Sequence, residues 1–247
     1  MENEHFFNIA STFYDDMISF EKSAENKLKF YDLLLDKSKT KVADVGCGTG
    51  IDSICLSKLG FNVTAFDISE EMINKAKANA LKNEVNVNFC NINLAEIIDL
   101  EDNFDYIISM GNTIANIPSH RISLFFNNVR SLLKKDGQFI FQIVNYNKIL
   151  KEKNRILGVT EDADKIYIRF YDFLNLHMNF NILTIHKNNL KENSLITTTL
   201  YPYTHKYLSE LLITSGLKEV KHFSGLNKSI TNFFKSEDII YTVCRII

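Results

Sequence analysis

The sequence predicts an α/β fold in which a mostly parallel, seven-stranded sheet is covered by helices on both faces. Three observations carry that expectation. Short β-type runs alternate with helix-period segments from residue 41 to 144, the rhythm of a parallel sheet joined by crossover helices. The first run empties into a glycine-rich turn and an apolar helix, Val42-Ala43-Asp44-Val45-Gly46-Cys47-Gly48-Thr49-Gly50-Ile51. After residue 150 the rhythm breaks, and three strand-like segments follow one another without a helix between them.

Taken in order, residues 6–35 read as two helices around the polar break Glu21–Glu25. Phe6, Phe7, Ile9, Ala10, Phe13, Tyr14 and Met17 recur near helical period in the first. Strand 41–45, helix 51–59, strand 62–66, helix 70–82, strands 86–90 and 104–110, helix 120–133 and strand 138–144 follow. Ser69 suits the N-cap of the fourth of these, and Asp136-Gly137 marks the turn into the last. Lys165–Leu174, Asn179–Ile185 and Leu195–Tyr201 form an antiparallel meander, inserted after the fifth strand as a lid. Helix 205–215 ends at Ser215-Gly216, and strands 218–223 and 239–246 complete the sheet. This divides one domain into an N-terminal helical cap (1–38), a core (39–150), a β lid (151–204) and a C-terminal part of the core (205–247). Crossovers should be right-handed, with ligand at the carboxyl ends of the strands.

The glycines at 46, 48 and 50 sit between a strand and a helix, where missing Cβ atoms permit a tight turn and close ligand approach. Dinucleotide-binding loops read G-x-G-x-x-G; here Ile51 holds the third slot. Asp67 ends the next strand, 17 residues after Gly50. A carboxylate there can accept hydrogen bonds from both hydroxyls of a ribose, and Ile68 can lie against an adenine.

The spacing of this loop resembles the first motif of class I S-adenosylmethionine (SAM)-dependent methyltransferases. That resemblance implies a Rossmann-like sheet, SAM as cofactor with S-adenosylhomocysteine (SAH) as product, and cofactor contacts from Tyr14, Asp44, Gly46, Cys47, Gly48, Asp67, Ile68, Met72, Asn91, Ile92, Met110 and Gly111. Asn91, at the end of the third strand, would take the adenine amino group and the Ile92 amide a ring nitrogen. Gly111 would let the backbone approach the sulfonium, and Tyr14 either closes over the methionine end or packs in the core as a helix aromatic.

Further stretches narrow the resemblance to glycine N-methyltransferase and its bacterial glycine/sarcosine relatives. They are Gly48-Thr49-Gly50-Ile51-Asp52-Ser53-Ile54, Asn91, Gly111-Asn112-Thr113-Ile114-Ala115, Asn145-Tyr146-Asn147-Lys148-Ile149-Leu150 and Tyr201-Pro202. The resemblance implies a small amine as acceptor, with Asn112 and Tyr167 as catalytic residues; Asn112, Asn116, Asn145, Arg169 and Tyr171 are the candidate substrate contacts. Where the glycine enzymes carry a carboxylate-clamping arginine this chain has Val144, and Asn116 replaces a family histidine. Valine cannot pair with a carboxylate, which argues against glycine itself. Strand alternation puts Tyr167, Arg169, Tyr171 and Phe173 on one face of the lid. There Arg169 either anchors an anionic or aromatic substrate or pairs with Asp172 or Glu161. An O- or C-methyltransferase of a small metabolite, a SAM-binding module without chemistry and a nicotinamide oxidoreductase are the competing readings.

With 247 residues, 45% of them hydrophobic, the chain can bury a sizeable single core. Its net charge of −2 and lack of basic runs give no nucleic-acid footprint. No stretch of about 18 apolar residues suits a membrane span. The N-terminus has no signal-peptide pattern. Cys47, Cys55, Cys90 and Cys244 lack paired spacing and read as reduced thiols, and the histidines lack metal spacing. The expectation is a cytoplasmic enzyme of a small molecule, monomeric or homodimeric, with no metal.

Overall fold

The computed structural model describes residues 2–93, 103–161, 163–226 and 236–245. Seven strands form the main sheet: β1 (Lys41–Val45), β2 (Asn62–Asp67), β3 (Asn88–Asn91), β4 (Phe104–Ser109), β5 (Leu133–Val144), β10 (Leu217–Ser224) and β11 (Asp238–Arg245). Their order is β10-β11-β5-β4-β1-β2-β3. The pairs β1–β2, β2–β3, β1–β4 and β4–β5 are parallel, and β11 runs antiparallel to both of its neighbours. The chain thus winds outward from β1 in one direction and from β4 in the other. Between them lies the crevice where sheets of this kind bind ligands, at the carboxyl ends of the strands.

Sequence dictates which strands are central. Val42, Ala43, Asp44 and Val45 are all buried, as expected of a strand with layers on both faces. On one face, α6 (Ile122–Leu132) presents Ile122, Phe125, Phe126, Val129 and Leu132 at helical spacing. Phe139 and Phe141 of β5 stack at 5.0 Å, and Phe141 stacks on Tyr241 of β11 at 4.7 Å. Each such ring contributes roughly 2–3 kcal/mol by burial. On the other face, Phe30, Tyr31 and Leu35 close over Cys55, Leu56 and Tyr106. They come from α3 (Phe20–Leu34), its trailing residue, α4 (Ile51–Lys58) and, for Tyr106, β4. Helix α5 (Glu70–Lys82) is capped by Ser69, whose Oγ accepts from the Met72 N–H at 3.1 Å.

The N-terminus departs from expectation. Three helices form, α1 (Glu2–Ala10), α2 (Tyr14–Ile18) and α3, and residues 21–25 lie inside α3. The break falls at Ser19, with φ at 52° in the left-handed region. Polar residues at 21–25 are the solvent face of an amphipathic helix, which is why they mimic a break. Asp136-Gly137 is likewise no turn but lies within β5. There the β4 partners jump from Leu133 to Gln138, and the extra residues bulge.

A second sheet, β6 (Ile156–Glu161), β7 (Lys165–Phe173), β8 (Met178–His186) and β9 (Ser194–Leu200), is an antiparallel meander of four strands rather than three. The short helix α7 (Tyr146–Glu152) precedes it, and α8 (His205–Thr214) follows. The meander rests on α1 through Phe6 and Phe180, 6.0 Å apart. It is tied to the turn after β4 by the Tyr201 N–H donating to the Ala115 carbonyl at 2.7 Å. Ile246, expected to end β11, lies outside the described residues. No described helix is long and apolar enough to cross a membrane.

Candidate active site

Strand β1 ends in a loop held by its neighbour: the Gly46 and Cys47 amides donate to the Phe66 carbonyl at 2.8 and 3.0 Å. Gly46 has φ +72°, and a Cβ there would stand 2.3 Å from Thr113 Cγ2, so no other residue fits. Gly48 has φ +54° and nothing within 4 Å of where a Cβ would be. Its amide donates to Asp67 Oδ2 at 2.8 Å, and the Ser69 amide donates to Oδ1 at 2.9 Å. Burial pushes the Asp67 carboxyl up, and these amides oppose the rise. Each carboxylate oxygen keeps acceptor capacity.

One cavity of about 690 Å³ runs along these strand ends. Gly46, Gly48, Thr49, Asp67, Ile68 and Met72 line it where β1, β2 and α5 meet. Met110 and Gly111 line it after β4; the Gly111 amide donates to Gln142 Oε1 at 3.2 Å. Tyr14 faces Gly111, its hydroxyl 3.9 Å from where a Cβ on that glycine would be. Burial first, then the charges of Asp52, Asp67 and Asp15, push the Tyr14 hydroxyl up to about 12, so it stays a neutral donor. The wall continues over Asn3, Glu4 and Phe7 of α1 and over Asn116, Ile117 and Pro118. His120, Arg121 and Phe125, then Thr199 and Tyr201 beside the second sheet, complete it.

Lys27 and Asp52 were not among the expected site residues, yet both line the cavity. Lys27 Nζ stands 2.7 and 2.9 Å from the two Asp52 oxygens, and the Tyr31 hydroxyl donates to Asp52. Asp52 stood next to the glycine turn as a visible signal; Lys27 had none, because α3 brings it there only by tertiary packing.

Several expected residues stand elsewhere. Asp44 is outside the cavity wall, buried beneath the loop, and accepts from Ser53 Oγ. Asn91 is outside it too: its Nδ2 donates to the Asp67 and Ile68 carbonyls at 3.0 and 2.9 Å, bracing that turn. The Ile92 side chain lines the cavity, but its amide donates to the Asp67 carbonyl at 3.0 Å and so is not offered to a ring nitrogen. Asn112 is spent internally, its Nδ2 donating to the Tyr146 hydroxyl at 2.9 Å and its Oδ1 accepting from the Val144 amide at 3.1 Å. Asn145 caps α7 and donates to the Ser236 carbonyl.

On the second sheet, Tyr167 stacks on Phe13 at 5.3 Å and packs with Phe6 and Met72. Tyr171 is buried against Phe173 and Phe180. Neither lines the cavity. Nor does Arg169, whose suggested partners are engaged elsewhere, Asp172 by Arg155 and Glu161 by Lys187. Its Nε is buried without a hydrogen-bond partner among the described residues. Asn116, alone of the five expected substrate residues, lines the cavity.

A family profile described as a methyltransferase domain matches residues 42–137. Glycine N-methyltransferase of Rattus norvegicus is 32% identical over 144 residues, covering 52% of this chain and 48% of the relative. Ribosomal protein L11 methyltransferase of Campylobacter concisus is 34% identical over 134 residues, covering 54% and 44%. The chain spans about half the length of these curated relatives. A SAM-dependent methyltransferase structure from Clostridium acetobutylicum superposes with a TM-score of 0.80 at 20% identity, over 97% of this chain and 98% of that one. Its likeness is one of fold.

The glycine turn and Asp67 lie within the stretch that matches a methyltransferase domain, and the strand order is the fold of a SAM-dependent methyltransferase, the class whose cofactor is SAM. The residues present fit that cofactor. Gly48 leaves open space where a Cβ would stand, Asp67 keeps acceptor capacity on both oxygens at the turn, and Thr49 Oγ1 is buried without a partner among the described residues. The Lys27–Asp52 pair offers both charges to a zwitterion.

Proposed function

We propose that this protein methylates the amine nitrogen of a small molecule at the expense of SAM, and that glycine is not its preferred acceptor. The observation that carries the reading is the continuity of the cavity. It joins the cofactor-binding turn to a second compartment walled by α1, the turn after β4, the start of α6 and the second sheet. Bound SAM supplies an electrophilic methyl on sulfonium sulfur. This chain's residues then have to bind, orient and keep out water, which is where most of the available rate enhancement lies.

In the proposed roles, Asp67 holds the ribose hydroxyls and Lys27 with Asp52 the methionine zwitterion. Gly111, pinned by Gln142, leaves the approach to the methyl open. The second sheet serves as a lid. A small aliphatic amine arrives mostly as its ammonium ion at neutral pH. Deprotonating such an amine costs roughly 3 kcal/mol at pH 7 when its pKa is about two units higher, and desolvation in the compartment lowers that pKa. An amine therefore needs no dedicated base. The rat relative's name favours an amine as well. Against glycine stands Val144, which packs into the core and has its amide held by Asn112, so it offers a carboxylate nothing.

A second reading rests on His120, which lines the acceptor compartment and could serve an oxygen nucleophile as general base. The test is SAH formation with glycine, sarcosine, benzylamine and glucosamine, against catechol as a hydroxyl acceptor and a blank. Turnover of benzylamine or glucosamine above glycine supports the amine reading. Turnover of catechol alone, abolished by His120→Gln, would replace it with the oxygen reading.

A further inference from the structure

Besides Thr49 Oγ1 on the cofactor side, the cavity wall holds a second buried polar atom without a partner among the described residues, on the side of α1 and the second sheet. Asn116 ends the short 3₁₀ turn Thr113–Asn116. Its Nδ2 points back to the Asn112 and Thr113 carbonyls at 3.4 and 3.3 Å. Rotating the amide by half a turn would set Oδ1 against those two carbonyl oxygens, so the assignment of nitrogen and oxygen is fixed by chemistry. Asn116 Oδ1 is then left buried, with no hydrogen-bond partner among the described residues, on a residue that lines the cavity. A buried acceptor without a donor is costly, and in a binding site the missing donor is commonly the ligand's.

The turn is held so that this oxygen stays in place. The Asn116 carbonyl accepts from Asn3 Nδ2 at 2.9 Å, and Asn3 Oδ1 accepts from Thr198 Oγ1 at 2.8 Å. Helix α1, the turn after β4 and strand β9 are thereby linked through Asn3, with Asn116 at one end of the chain of bonds. All three also wall the acceptor compartment. Asn116 lies on the same loop as Met110 and Gly111, between the cofactor side and the second sheet.

We infer that Asn116 Oδ1 accepts an N–H from the neutral acceptor amine and thereby admits primary and secondary amines while rejecting tertiary ones. This rests on the amine reading above. A primary amine gives one N–H to Asn116 and keeps its lone pair for attack. The lone pair forms the new N–C bond as the S–C bond breaks onto sulfur, and the alkylated nitrogen then sheds one proton to water. The secondary amine so formed still has an N–H to give. The tertiary amine after a second round has none, and its extra methyl would stand against an unsatisfied oxygen. Asn116 therefore acts as a specificity-determining residue, and methylation stops at the dimethyl product.

The experiment uses the full chain and two series, glycine with sarcosine and N,N-dimethylglycine, and benzylamine with its N-methyl and N,N-dimethyl derivatives. SAH formation and product mass are followed, and SAH affinity is measured separately by calorimetry. The primary and secondary members of the accepted series should turn over, the tertiary member at least about tenfold less, and no quaternary product should form. Asn116→Leu should raise the acceptor KM at least about tenfold, the loss of a buried hydrogen bond, with SAH affinity unchanged. Asn116→Asp keeps an acceptor oxygen but adds charge that holds the amine protonated. It should therefore move the rise of kcat/KM with pH to higher pH, which a merely structural role would not do.

Turnover of the tertiary amine at the secondary amine's rate overturns the inference and leaves the amine reading standing. So does an acceptor KM unchanged in both variants. If no amine in either series turns over while SAH binds, the amine reading fails and this inference fails with it.

Discussion

At Gly46 an added methyl would stand 2.3 Å from Thr113 Cγ2 and 2.8 Å from its hydroxyl, and the backbone already holds φ at +72°. Both the β1 loop and the turn after β4 would have to move. Gly46→Ala should therefore destabilise the protein by about 2–3 kcal/mol, read as a fall in the urea midpoint at unchanged m, and should weaken SAH binding too. Asp44 makes a different residue-scale prediction. Burial first, then the charge of Asp52, push its carboxyl up to about 8, with the Ser53 hydrogen bond opposing. A folded-state pKa above the unfolded value means the native state binds the extra proton. Asp44's contribution is complete below about pH 4 and is lost as pH rises toward about 8. Urea titrations over that range should show stability falling for the wild type and a flatter profile for Asp44→Asn. Residues whose role is set by backbone geometry were legible in the sequence: glycine spacing announces the turn, and an acid ending the next strand announces Asp67. Asn112 was not, because its amide is consumed by Tyr146 and Val144, partners that exist only once β5 and α7 are in place.

At the scale of elements, α7 depends on one side chain. Asn145 accepts from the Lys148 amide at 3.3 Å and donates to the Ser236 carbonyl at 3.0 Å, joining the helix cap to the approach to β11. Asn145→Ala should cost about 1–2 kcal/mol, the value of an N-cap plus a buried tie. SAH affinity should not move, because Asn145 does not line the cavity. Denaturant unfolding and calorimetry on the same variant separate the two. Strands β1, β2, β4 and β5 were legible because each buries an apolar run. Strand β6 was not: five of its six residues are exposed, so no inward period marks it. The helix break at Ser19 was equally silent, since a serine gives no sign of a left-handed backbone.

Across the whole molecule, the cavity belongs to two bodies. Its cofactor side is built by the parallel sheet, α3, α4 and α5. Its acceptor side is built by α1, the turn after β4, the start of α6 and the second sheet. Phe7 is half-buried on α1 and lines the acceptor side. Phe7→Ala should raise the acceptor KM severalfold and leave SAH affinity within about twofold, a split read by steady-state kinetics beside calorimetry. The fold class, the glycine turn and the position of Asp67 could be read from local pattern; Lys27, on the same side of the cavity, could not. The acceptor side could not, since residues from 3 to 201 meet there only through tertiary packing.

The most direct test of the central claim is calorimetric titration of SAH into the wild type and Asp67→Ala, with NADH as the control ligand. The wild type should bind one SAH per chain and no NADH. Asp67→Ala, losing hydrogen bonds to a charged acceptor, should bind SAH at least about tenfold more weakly. No SAH binding by the wild type, or equal affinity in the variant, would contradict the assignment of this cavity as the SAM site with Asp67 on the ribose.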